Sequence, residues 1–290
     1  VSPDGRWIAY TTDDHGKSIN LMLLNVRTGE STALTRGDHV NLDPAFSPDG
    51  RQLAYVSTNP DGWFHIYVLP LNDGVPGTPA RITNDNRFGR GRLYFSDQDH
   101  HIQPTWSPDG KELILVSNRG IPLGSGGIYR APAEPDAMRR ARLLLREETL
   151  FRTRPQWSAD GKRILYSSHR GAQFTNLYVL PTEGGEPYQL TFGNWDHFEP
   201  AWSPDGEWIV YVSNQHGLSD LRLLRTYGGE ERRVEIRRRV HRRPTGTVEI
   251  VVKDAATGRP FPARVYARAA DGKTYAPPAP YHRLGPRGDP

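Results

Sequence analysis

Cysteine is absent from the 290 residues, so neither disulfides nor thiolate metal ligands are available. That absence leaves the compartment open, since it fits reducing and oxidising surroundings alike. No apolar run approaches the ~20 residues that a membrane-spanning helix requires, so no membrane span is expected. Lysine is scarce: Lys17, Lys111, Lys162, Lys253 and Lys273 are the only lysines among 37 basic residues. The chain begins at Val1 without an initiator Met or a charged-then-apolar leader, so any signal peptide was removed or lies upstream. Enzyme signatures are missing too. Leu123-Gly124-Ser125-Gly126-Gly127 is not a nucleophile elbow. No H-E-x-x-H occurs, and Gly89-Arg90-Gly91 lacks the rest of a dinucleotide fingerprint. No catalytic residue, metal or cofactor is therefore assigned.

What is abundant is turn chemistry. With 29 Gly and 25 Pro among 36% apolar residues, the composition reads as globular and all-β. A unit recurs five times: VSPDGRWIAY at Val1, FSPDGRQLAY at Phe46, WSPDGKELIL at Trp106, WSADGKRILY at Trp157 and WSPDGEWIVY at Trp202. Its serines, Ser2, Ser47, Ser107, Ser158 and Ser203, are 45, 60, 51 and 45 residues apart, close to the ~40–45 of a four-stranded propeller blade. Each unit reads as an inner strand such as Pro200 to Ser203 and a tight Pro-Asp-Gly turn. An alternating second strand, a third strand such as Leu177 to Val179 and a short outer strand follow. Phe46, Trp106, Trp157 and Trp202 are the expected wedges between blades, and the repeated aspartates read as turn residues. The expected fold is an all-β propeller of four-stranded blades whose first unit lacks its inner strand; either that strand comes from elsewhere in the ring or upstream blades are missing, and the second reading, an internal fragment, is favoured.

The P-x-W-S-P-D-G-x-x-I-x-Y-x-S unit resembles the TolB-like, WD-repeat-like propeller family, over residues 1–236. That resemblance implies an intact ring of six or seven blades and a binding scaffold, in a periplasmic or extracellular protein. It also fits the gating propeller of prolyl-oligopeptidase-type peptidases or the N-terminal part of larger hydrolases. Residues 237–246 read as a basic linker. Residues 247–275, beginning T-V-E-I-V-V-K-D-A-A-T-G-R-P, resemble the first strands of a carboxypeptidase-regulatory-like or transthyretin-like β-sandwich, and 276–290 reads as disordered. This order resembles secreted proteins that continue into a CehA/McbA-type or amidohydrolase-type metal-dependent domain, so the polypeptide is expected to continue.

In a propeller, the loops from outer to next inner strand and from second to third strand emerge on one face. His39, His100, His101 and His197 fall in the first kind of loop, His15, His169 and His216 in the second, and His65 at the edge of a third strand. Asp38-His39 precedes Asp43-Pro44, Asp99-His100-His101 precedes Gln103-Pro104, and Asp196-His197 precedes Glu199-Pro200, while Phe151 to Pro155 breaks the pattern. His39, Asp43, His100, His101, Asp196, His197 and Glu199 at the channel mouth suit a cationic peptide end or a divalent metal, against polar loops that merely hydrate. The insertion carrying Arg87, Phe88, Arg90, Arg92, Tyr94 and Phe95 suits a protein contact, stacking on nucleic acid, or a channel cover. Between Arg232 and Arg243 seven arginines stand against Glu235, but no nucleic-acid-binding motif accompanies them. The reading is a non-catalytic propeller that binds a protein or peptide, with an accessory propeller of a multidomain hydrolase as the alternative.

Overall fold

The computed structural model describes residues 1–13, 18–84, 98–121, 126–147, 153–171, 173–217, 219–235, 237 and 250–261, with isolated positions from 263 to 275. The chain divides into two compact units, Val1–Glu235 and Ile236–Pro290. Among the described residues no helix is long and apolar enough to cross a membrane.

The first unit is a β-propeller of five antiparallel sheets. Sheet 1 has three strands, Trp7–Asp13, Ile19–Asn25 and Ser31–Ala33, without the inner strand that the others possess. Sheet 2 runs Asn41–Phe46, Gln52–Ser57 and His65–Asn72, with Val75–Pro76 and Ala80–Arg81 sharing the outer edge. Sheet 3 is His101–Trp106, Glu112–Ser117, Gly127–Pro132 and Arg142–Leu145. Sheet 4 is Gln156–Trp157, Arg163–Ser168, Asn176–Pro181 and Tyr188–Gln189. Sheet 5 is His197–Trp202, Trp208–Ser213, Asp220–Arg225 and Glu231–Arg233.

The repeated Ser-x-Asp-Gly turn is the same hydrogen-bonded object five times. Each serine hydroxyl donates to the Oδ1 of the aspartate two residues on, at 2.5–2.7 Å. The serine Oγ in turn accepts the amide N–H of Trp7, Gln52, Glu112, Arg163 or Trp208, at 2.8–3.0 Å, which starts the second strand. The aspartate also accepts the amide N–H two residues further on, at 3.0–3.1 Å. The glycine closes the turn at φ 71–72°, a conformation that a Cβ disfavours. The serine bond is the largest cause holding Asp4, Asp49, Asp109, Asp160 and Asp205 below the ordinary carboxylate range.

With register fixed at the turn, strand alternation sends one set of side chains toward the preceding sheet and the other toward the next. Ala54, Val56, Ile66 and Val68 of sheet 2 meet Leu113, Leu115 and Tyr129 of sheet 3. Ile114 and Ile128 meet Ile164, Tyr166 and Tyr178. Leu165 and Leu177 meet Ile209 and Tyr211, while Leu21 of sheet 1 meets Leu53 and Tyr55. The aromatic wedges sit on these seams. Trp106 Nε1 donates to the Ala45 carbonyl at 3.0 Å and Trp202 Nε1 to the Gln156 carbonyl at 3.3 Å, each reaching the preceding inner strand. Trp157 instead donates to the Gly161 carbonyl of its own turn.

Tyr67, Tyr129 and Tyr178 occupy one third-strand position and donate their hydroxyls to the carbonyls of Asn59, Arg119 and Arg170, pinning the loop after the second strand. Sheet 5 has Arg222 there, opposite Tyr211, paired with Asp220 and Glu231. At the seam of sheets 3 and 4, buried Glu147 accepts from the Tyr166 hydroxyl at 3.1 Å and from the Ser168 hydroxyl.

In the second unit, Asp254 accepts from the Ala256 and Thr257 amides and the Thr257 hydroxyl, at 2.7–3.1 Å. The turn so made is closed by the Phe261 N–H donating to the Val252 carbonyl at 2.9 Å. Ala267–Arg268 pairs with Thr274–Tyr275.

Two outcomes are expected. Ser107→Ala leaves the Glu112 amide without its acceptor and destabilises the propeller by about 1–2 kcal/mol in chemical denaturation. Burial, partly offset by the two hydroxyls, pushes the Glu147 carboxyl up. The folded chain therefore holds a proton that the unfolded chain releases, and this contribution to stability is full below the ordinary glutamate range of about 4.3 and is lost as pH rises from there through the raised range of the folded chain. Glu147→Gln flattens that part of the melting-temperature profile between pH 4 and 7, and an unchanged slope contradicts the assignment.

Candidate functional site at the channel mouth

Asn41, His101 and His197 head the inner strands of sheets 2, 3 and 5, whereas sequence reasoning began those strands at the proline and placed His101 and His197 in loops. Pairing is interrupted and then resumes upstream, with register shifts in all three ladders. The cause is the residue before each proline. Proline offers no N–H and keeps its predecessor out of the right-handed helical region. Asp43, Gln103 and Glu199 instead adopt φ of 52°, 54° and 54°. Arg154, before Pro155 in sheet 4, has φ 43°. These four make up most of the six described non-glycine residues with positive φ, and such a conformation costs of order 1–3 kcal/mol at each position.

The four residues are joined, three through their side chains and Gln103 through its side-chain oxygen and backbone N–H. Arg154 Nη1 donates to Asp43 Oδ1 in a short ion pair, and its Nε lies 3.2 Å from Glu199 Oε2. Gln103 Oε1 accepts the Arg154 amide N–H at 2.9 Å, and the Gln103 amide donates to Asp43 Oδ2 at 3.3 Å. Phe151 to Pro155, expected to break the pattern, thus supplies through Arg154 the cation that joins it; Phe151 and Arg152 lie outside the described residues. Asp43 is nearly buried, with 12% of its side chain exposed, while Arg154 and Glu199 remain open at 35% and 43%.

A second tier supports the ring. The amides of Val40, His100 and Asp196 donate to Thr58 Oγ1, Asn118 Oδ1 and Asn214 Oδ1 at 2.8–3.0 Å. The Asp196 carboxylate accepts from the Thr175 amide and Asn214 Nδ2, so it holds loops together rather than joining the ring. His39 and His100 are half-buried on this face, and His101 and His197 are buried. His197 packs edge-on to Tyr211, with centroids 5.3 Å apart, and burial pushes its imidazole below the ordinary range, which favours the neutral ring. His65 is buried between the Thr83 carbonyl at 3.0 Å and the Asp61 carboxylate at 2.8 Å. Among the described residues, no three His, Asp or Glu side chains converge as metal ligands would.

His15 and the insertion residues Arg87, Phe88, Arg90, Arg92, Tyr94 and Phe95 lie outside the described residues. Sequence reasoning missed Arg154 and Phe192. Phe192 is 69% exposed in the loop entering sheet 5, beside Gly193 at φ 133°, where an added Cβ would lie 2.5 Å from the Trp195 ring. The signal for Arg154 was the x-Pro position itself, which repeats in backbone rather than in residue type. A cavity of about 790 Å³ lies on the opposite, turn-bearing face between sheets 1 and 2; Asp4 and Arg6 in its lining already pair with each other.

Residues 1–175 match the family model described as TolB beta propeller domain. The Tol-Pal system protein TolB of Francisella tularensis subsp. mediasiatica is 26% identical over 237 residues, covering 81% of this chain and 49% of that protein. An uncharacterised peptidase of Bacillus subtilis, YuxL, is 28% identical over 220 residues, covering 73% of this chain and 28% of that protein. Among solved structures, TolB from Acinetobacter baumannii superposes with a TM-score of 0.60 at 25% identity, over 80% of this chain and 54% of that one. The chain thus spans about half of the TolB relatives and about a quarter of the peptidase.

Asp43→Asn removes one of two carboxylates holding Arg154. It is expected to cost about 1 kcal/mol of stability, because half of the pair is solvent-exposed, and the difference from the unsubstituted chain should shrink in 1 M salt. Paired urea titrations at low and high salt check both statements.

Proposed function

This chain belongs to the TolB beta propeller domain family, and from that premise we propose that it is a non-catalytic scaffold binding a protein or peptide segment over the channel mouth. The observation that carries the reading is the ring of Asp43, Gln103, Arg154 and Glu199, in which four sheets converge on one polar spot at the cost of four strained backbone positions. Strained backbone positions cluster at ligand clamps and switch regions, which supports this reading. Around it the face offers half-buried His39 and His100 and the exposed ring of Phe192, the mixture of polar contacts and aromatic anchors that protein partners engage. TolB relatives are named as Tol-Pal system proteins. A periplasmic or extracellular location fits that relationship.

A second reading has its own support. The match to the Bacillus subtilis peptidase covers only 28% of that protein, as expected where a propeller accompanies a separate catalytic domain. On this reading the propeller restricts access to a hydrolase domain of the same polypeptide, and the segment from 247, with its carboxypeptidase-regulatory-like pattern, leads toward it.

Selection of displayed peptides against the 290-residue chain tests the first reading. Binders should weaken about tenfold on Phe192→Ala and stay unchanged on Tyr227→Ala, in an exposed turn on the opposite face. Binders that respond to Tyr227→Ala and ignore Phe192→Ala would move the site to the turn face and sink the proposal.

A further inference from the structure

The guanidinium of Arg154 sits as a ligand would sit. Asp43 Oδ1 and Glu199 hold it from two sides, and these acceptors come from sheets 2 and 5 while Arg154 comes from sheet 4. Asp43 is largely withdrawn from water, so its charge demands a cation at that spot. The carboxylate is also aimed, because the Gln103 amide holds its other oxygen.

Arg154 itself is attached in a way that separates backbone from side chain. Its amide is tied to Gln103 Oε1, which fixes the loop whether or not the guanidinium is seated. The side chain is a flexible stem with 35% of its surface exposed, so it can swing into solvent without disturbing the strand below. With Arg154 swung away, what remains for the guanidinium site is two carboxylates, both acceptors, already spaced for a guanidinium, while Gln103 Oε1 stays with the Arg154 amide. A carboxylate or a neutral group would leave that set unsatisfied.

Resting on the reading of this face as a peptide-binding one, we propose that Asp43 and Glu199, oriented by Gln103, form a guanidinium seat that Arg154 fills in cis. The segment recognised at the channel mouth carries an arginine that takes the seat from it. Arg154 thereby sets selectivity: a segment must supply a donor fork good enough to replace one already tethered in place. A lysine, with a single point charge, replaces it less well.

Calorimetric titration of the full chain with acetyl-Gly-Arg-Gly-amide and acetyl-Gly-Glu-Gly-amide tests this. Arg154→Gln removes the cis occupant and is expected to tighten the arginyl peptide about tenfold, the gain for a seat otherwise free about a tenth of the time. The glutamyl peptide should not gain, and Asp43→Asn added to Arg154→Gln should abolish the gain. No tightening in a variant that melts like the unsubstituted chain overturns the proposal, as does equal tightening of the glutamyl peptide. Should Arg154→Gln fail to fold, the Arg154 Nε–H resonance of the unsubstituted chain serves instead. Saturation with the arginyl peptide should move it to the position of a solvated arginine, and an unmoved signal overturns the seat. Displayed peptides that need Phe192 but no basic residue would defeat the seat and leave the face reading standing; displayed peptides that need Tyr227 and neither Phe192 nor Asp43 would defeat the face reading and the seat together.

Discussion

Everything in the propeller hangs on a serine hydroxyl that donates to an aspartate and accepts the first amide of the following strand. Because that pair of bonds is made within six residues, it forms without help from the rest of the chain. It fixes which residue of the inner strand lies opposite which residue of the second. A slip of one position would send Leu53 and Tyr55 of sheet 2 to the wrong side and exchange the faces presented to its neighbours. The seams between sheets are therefore a consequence of the turns.

At the other end of each inner strand the physics reverses. The turn relaxes the chain into glycine's favoured conformation, whereas the residue before the inner-strand proline is a non-glycine held at positive φ. Two ends of one strand thus have opposite characters, one made of satisfied local bonds and one made of strain offset by contacts between sheets. The polar ring belongs to the strained end. The aspartates at the relaxed end already hold serine hydroxyls and backbone amides.

This difference explains what the sequence made legible. Five copies of a turn and an alternating strand announce themselves, since each is encoded by neighbouring residues: Ser107, Asp109 and Gly110 need only one another and Glu112. The wedge role of Trp106 and Trp202 followed from their fixed place in the repeat. The start of the inner strands was misread because Pro44, Pro104 and Pro200 look like strand openings. The bulge that lets pairing resume before them is a property of backbone angles. Arg154 was set aside because its charge differs from Asp43 and Glu199, although the position is the same. Glu147 left no local sign, as its burial depends on Tyr166 and Ser168 nineteen and twenty-one residues away.

The ring also bears on when the mouth comes into being. Strand contacts within each sheet are short-range, so sheets can form one by one. The Arg154 pair with Asp43 closes a separation of 111 residues, and its contacts with Gln103 and Glu199 span 51 and 45. No partial assembly lacking sheet 2, 3, 4 or 5 can complete that arrangement. A partner that engages the finished ring would therefore sense whether sheets 2 to 5 have all assembled, and pass over the half-built arrays that repeat proteins populate on the way.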